Sequence, residues 1–122
     1  MADLDFYFDP VCPFAWITSK WVRRVGASRP LAVTWRFISL RMVNADVDYE
    51  EHFPKGYDEG HTTGLRLLRV AAAVRELHGP DAVGALYEAL GAAIFDSRRG
   101  AQAEAQRDLH GFVAPLLDQL GL

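Results

Sequence analysis

The chemistry in this chain gathers around one residue. Among 122 residues there is a single cysteine, Cys12, in the stretch DFYFDPVCPFAW. It follows a short apolar run and precedes a helical pattern. That spacing puts Cys12 at the N-cap of the helix, where the amides of the first turn have no partner within the helix. The helix dipole adds positive potential there. Both favour thiolate over thiol, and the thiolate is the nucleophile. Pro13 suits the first helical position, because its missing N–H costs nothing there. A redox pair would carry a second cysteine three residues on, but that position is Ala15. A lone Cys12 cannot close an internal disulfide, so resolving a mixed disulfide on it requires an outside thiol.

The elements that must position Cys12 are readable from periodicity. LDFYF alternates, with Leu4, Phe6 and Phe8 on one side, and reads as a strand. Phe14, Ile17, Thr18, Trp21 and Val25 recur at spacings of three and four and predict the buried stripe of the first helix, ended by Gly26 and ASRP. LAVTWRFISL reads as a second strand, with Leu31, Val33, Trp35 and Phe37 on one face. Strand, helix and strand at this spacing form a βαβ unit with parallel strands. Residues 45–61 are polar and acidic and read as a loop or a short irregular helix. Helical stripes follow: Leu67, Val70, Ala71, Val74 and Leu77, then Val83, Leu86, Tyr87, Leu90 and Ile94, separated by HGP. DSRRG at 96–100 reads as a solvated basic turn. The last segment carries Pro115 inside its pattern, which predicts a kink or two short helices. The fold class is therefore α/β, a βαβ unit over residues 1–44 followed by an all-helical segment over residues 45–122.

Composition narrows the function. Half the residues are hydrophobic and the net charge is −3, which favours neither nucleic acid nor an anionic membrane surface. No apolar run approaches the roughly 20 residues of a membrane span. The acidic start, MADLDFYF, is unlike a signal peptide. With one cysteine, the expectation is a reducing, cytoplasmic setting. No His/Cys spacing predicts a metal site. Of the histidines, His61 lies near a helix start and faces either solvent or substrate; His78 precedes a C-cap glycine, and His52 and His110 have no assigned role. Trp16 lies about 200° around the helix from Phe14, so it either flanks a substrate groove or packs on the helical segment. Lys20 is one turn beyond it and reads as a solvated lysine.

The stretch FDPVCPFAWITSKW resembles the DsbA-like branch of the thioredoxin superfamily, and within it the mycothiol-dependent nitroreductase-like proteins of actinobacteria. ISLRMVN and RLLRVAAAVRELHG support the resemblance. It implies a thioredoxin-like fold and a thiol-dependent oxidoreductase in which Cys12 is the nucleophile. Pro13, Phe14, Trp16, Thr18 and Asn44 are the implied binding residues for substrate or a low-molecular-weight thiol, mycothiol or glutathione. The family fold closes its sheet with a C-terminal ββα half that brings a cis-proline beside the cysteine, and this sequence ends without one. The expectation is thus an N-terminal part or a truncated relative that hides its open surface by homo-oligomerisation, through the strand edge or the helical stripes of residues 83–120. Loss of the second cysteine also points towards the kappa-class glutathione transferase and 2-hydroxychromene-2-carboxylate isomerase relatives, which activate a cofactor thiol; an inactive remnant is the non-enzymatic alternative.

Overall fold

The computed structural model describes residues 3–97 and 100–122. Strand β1 (Leu4–Phe8) and strand β2 (Val33–Phe37) pair in parallel, from Leu4 beside Val33 to Phe8 beside Phe37. They are the only strands among the described residues. Alternating aromatics make them: Phe8 meets Phe37 edge-on, and Phe6 lies against Trp35. The second strand stops at Phe37, not Leu40. Ser39 turns the chain instead, its Oγ accepting from Met42 N to cap the short helix α2 (Leu40–Val43).

Helix α1 (Pro13–Ser28) joins the strands. It runs through Gly26 and stops before Pro30, with Arg29 extended as a residue preceding proline must be. Its buried face is not the expected stripe. Trp16, Ser19 and Val22 point inward, whereas Phe14 is 79% exposed, Ile17 65% and Trp21 67%. Two polar residues allow this inversion. Ser19 is fully buried because its hydroxyl donates to Trp16 O at 2.7 Å. Arg23 enters by laying its guanidinium over the Trp35 ring at 4.3 Å and donating to Gly84 O at 2.8 Å.

Residues 45–61 are more helical than their polarity suggests. Helix α3 (Tyr49–His52) is capped by Asp48, which accepts from the amides of Glu50 and Glu51. Helix α4 (Tyr57–His78) already begins within this segment, after Gly56 at φ 93°. It ends at Gly79, and Pro80 opens α5 (Pro80–Gly91). A π-helical turn (Ala92–Ser97) follows, then α6 (Ala101–Arg107) and α7 (Leu109–Leu120). The segment around Pro115 does not split into two short helices: α7 runs through Pro115, and the Asp108 carboxylate caps its start through Gly111 N. Arg98 and Arg99, the basic pair of the DSRRG turn, lie outside the described residues.

The core has two parts. Leu67, Ala71, Leu86, Leu90, Phe112 and Val113 join α4 to α7. Phe8, Trp16, Leu68, Val83 and Tyr87 join the sheet to α1, α4 and α5. Tyr87 stacks on Phe8 with ring centroids 4.0 Å apart. Fully burying rings such as these contributes about 2–3 kcal/mol each. The stripe Val83, Leu86, Tyr87, Leu90 and Ile94 is thus consumed inside the chain and is not free to form an interface. Leu77, expected in the α4 stripe, is 76% exposed.

Candidate active site

Local hydrogen bonds set the turn that carries Cys12. Asp9 closes β1 and is 1% exposed. Its Oδ1 accepts from Val11 N at 3.0 Å, and its Oδ2 accepts from Leu40 N at 2.8 Å, at the start of α2. The carboxylate therefore ties the loop after β1 to the loop after β2. Burial pushes the Asp9 carboxyl above its ordinary value, and the two amides and nearby His61 pull the other way. Gly64 on α4 makes room: a Cβ there would overlap the Asp9 carboxylate and Val11. Cys12 N then donates to Asp9 O, and Cys12 O receives Trp16 N as α1 begins. Cys12 Sγ accepts from Ala15 N at 3.4 Å, the N-cap contact its position predicts. Cys12 is half-buried.

It opens on a cleft of about 540 Å³, within the usual span of small-molecule sites. Cys12, Pro13 and Phe14 form one wall and Leu40 and Asn44 a second. Asn44 caps α2, its Nδ2 donating to Leu40 O at 2.8 Å. Phe53, Lys55, Tyr57 and His61 also line the cleft, with Phe95 and Gln102. His61 is 8% exposed, and its Nδ1 lies 2.8 Å from Tyr49 Oη. The rings of Tyr49, Phe53 and Tyr57 meet the imidazole edge-on at 5.4–5.8 Å. Burial pushes the imidazole below its ordinary pKa; Asp9 opposes that shift and Arg41 adds to it. Among the described residues, no three His, Cys, Asp or Glu side chains cluster as metal ligands.

The structure thus brings Cys12, Pro13, Phe14 and Asn44 to one cleft and leaves Trp16 and Thr18 out of it. Trp16 packs inward, edge-on to Tyr87 and stacked on Phe95, its Nε1 donating to Asp96 Oδ1 at 3.2 Å. It braces the cleft from behind through Phe95. Thr18 is exposed and spends its hydroxyl on Phe14 O. Lys20 pairs with Asp96 at 2.8 Å, and that contact draws the Asp96 carboxyl below its ordinary value. His52, His78 and His110 are exposed.

A family model described as mycothiol-dependent nitroreductase Rv2466c matches residues 11–117, which include Cys12, Asn44 and His61. The chain belongs to the Rv2466c-like family. An uncharacterized protein of Mycobacterium tuberculosis (strain ATCC 25618 / H37Rv), Rv2286c, is 39% identical over 75 residues, 62% of this chain. The match spans 31% of that relative's length. In this Rv2466c-like chain the aromatic wall was the part sequence reasoning missed. Its signal was present: Phe53, Tyr57 and His61, with Tyr49 behind the imidazole, recur every four residues across a stretch that reads as polar loop.

Proposed function

We propose that this Rv2466c-like chain is a monothiol oxidoreductase whose nucleophile is Cys12 and whose co-substrate is a low-molecular-weight thiol. Mycothiol is the first candidate, from the family description, and glutathione the second. The observation that carries the reading is Cys12 Sγ at the α1 N-cap, accepting from Ala15 N at the edge of a ligand-sized cleft. In the forward step the Cys12 thiolate attacks the R-bearing sulfur of a mixed disulfide R′–S–S–R, in which R is the low-molecular-weight thiol. The S–S bond breaks, R′S⁻ leaves reduced, and Cys12–S–S–R forms. Ala15 has no thiol to attack this adduct, so free RSH resolves it, giving RSSR and the Cys12 thiolate; the net change is R′SSR + RSH → R′SH + RSSR. Pro13, Phe14 and Asn44 bind the R group; Trp16 supports the wall without touching it, and Thr18 has no part.

In this reading β1, α1 and β2 are the βαβ half of a thioredoxin-like fold working in a reducing cytoplasm. A homo-oligomer belongs to this reading, with the exposed Ile17 and Trp21 of α1 as the face a second copy covers, which sedimentation at micromolar concentration tests. The test of function is intact mass after incubation of the native protein with mycothiol disulfide or oxidised glutathione. One adduct, reversed by excess thiol and absent from Cys12→Ser, is expected. An adduct that forms only after denaturation overturns the reading.

A further inference from the structure

We propose that His61 is the general base that activates the thiol resolving the Cys12 adduct. The inference rests on the monothiol reading and deepens it. Ala15 leaves resolution to an outside thiol. A thiol with a pKa of about 8.5 is only about 3% thiolate at pH 7. A base beside the adduct removes that handicap. His61 is the imidazole on the wall of the cleft that holds Cys12. Its Nδ1 is taken by Tyr49 Oη at 2.8 Å, which leaves Nε2 for the cleft's occupant.

The Tyr49 hydroxyl can donate or accept, so it serves both protonation states. When Nδ1–H donates to Tyr49 Oη, Nε2 carries the lone pair. The step then balances. Nε2 takes the proton of the incoming RSH, and RS⁻ attacks the R-bearing sulfur of Cys12–S–S–R. The bond to Cys12 breaks, its electron pair leaves on Sγ, and RSSR departs. The imidazolium returns its proton to Sγ or to water. By the same route the imidazolium protonates the R′S⁻ that leaves when the adduct forms.

The charged and titratable groups around the imidazole come from each neighbouring element. Asp9 reaches it from the turn after β1 and Arg41 from α2. Tyr49 contacts it from α3 and Tyr57 from the preceding turn of α4. Lys55 and Cys12 line the same cleft. Burial holds the imidazole neutral at pH 7, as a base requires.

The experiment loads Cys12 with glutathione and follows its release by reduced glutathione from pH 5.5 to 8.5, by quenched mass analysis. In the wild type, the rate per total thiol should level off once the imidazole is neutral. In His61→Gln it should rise about tenfold per pH unit and fall about tenfold at pH 7. The ceiling of the loss is the inverse of the thiolate fraction, about 30-fold. Tyr49→Phe removes the acceptor for the imidazolium and should move the wild-type midpoint to lower pH. A folded His61→Gln whose profile parallels the wild type overturns the inference. If that variant does not fold, an unmoved midpoint in Tyr49→Phe overturns it. Failure of the native wild type to load at all overturns the monothiol reading as well, so the two failures are distinguishable.

Discussion

Replacing Tyr87 by phenylalanine should stabilise the protein. Tyr87 is fully buried, stacked on Phe8, and its hydroxyl has no hydrogen-bond partner. Ser19 Oγ lies near enough to the phenol to ease its ionisation slightly, but it does not make a hydrogen bond of good geometry with it. A buried donor without a partner costs about 1–3 kcal/mol, and removing one oxygen leaves too small a void to cancel that. The gain at neutral pH should be about 1 kcal/mol. A second arm follows from titration. Burial pushes the phenol from 10.0 up to about 12, so the folded state holds its proton where the unfolded chain releases it. Stability from this group is therefore complete below about pH 10 and is lost as the pH climbs towards 12. By pH 10.5 the wild type should have lost about 0.8 kcal/mol that Tyr87→Phe keeps. Urea unfolding at pH 7 and pH 10.5, read by tryptophan fluorescence, measures both arms. A variant less stable than wild type at pH 7, with a difference that does not widen at pH 10.5, would refute the reasoning.

Gly91 lies where a Cβ would enter the Trp16 ring, whereas Gly26 faces open space in the last turn of α1. Gly91→Ala should cost about 1–3 kcal/mol by urea midpoint, and Gly26→Ala should gain up to about 0.5 kcal/mol. Ala15→Cys places a second thiol on the residue whose amide already meets Cys12 Sγ. It should form an internal disulfide and shorten the life of the glutathione adduct, followed by intact mass; an unchanged lifetime would count against resolution from that position.

The strands were legible because their alternation is local, as in Phe6 and Phe8. The N-cap role of Cys12 was legible because it is settled within three residues, by Ala15 N. The orientation of α1 was not. Periodicity counts apolar residues and cannot know that Ser19 will satisfy itself on Trp16 O, or that Trp35 will receive Arg23. Phe14, Ile17 and Trp21 therefore looked like the core and are the surface. The cleft was half legible. Pro13, Phe14 and Asn44 came from resemblance to a motif near the cysteine. Phe95 and Gln102 come from the far end of the chain, and only a long-range fold brings them near. The helix break at Asp108 was hidden because Pro115 is the louder signal, although Asp108 has a real partner in Gly111 N.

The Asp9 link between the two loops has a consequence for the order of folding. The Cys12 cap needs only one helical turn and can form as soon as α1 does. The bond from Asp9 to Leu40 N joins residues 31 apart and must wait for β2 to dock. For that interval the chain carries an exposed thiol on a helix with no cleft beside it. Any oxidant meeting it then reacts without selection. The amide of Leu40 is accordingly the natural hydrogen-exchange reporter of the moment at which the thiol acquires its surroundings. Its protection should rise and fall with the selectivity of Cys12, not with the helicity of α1.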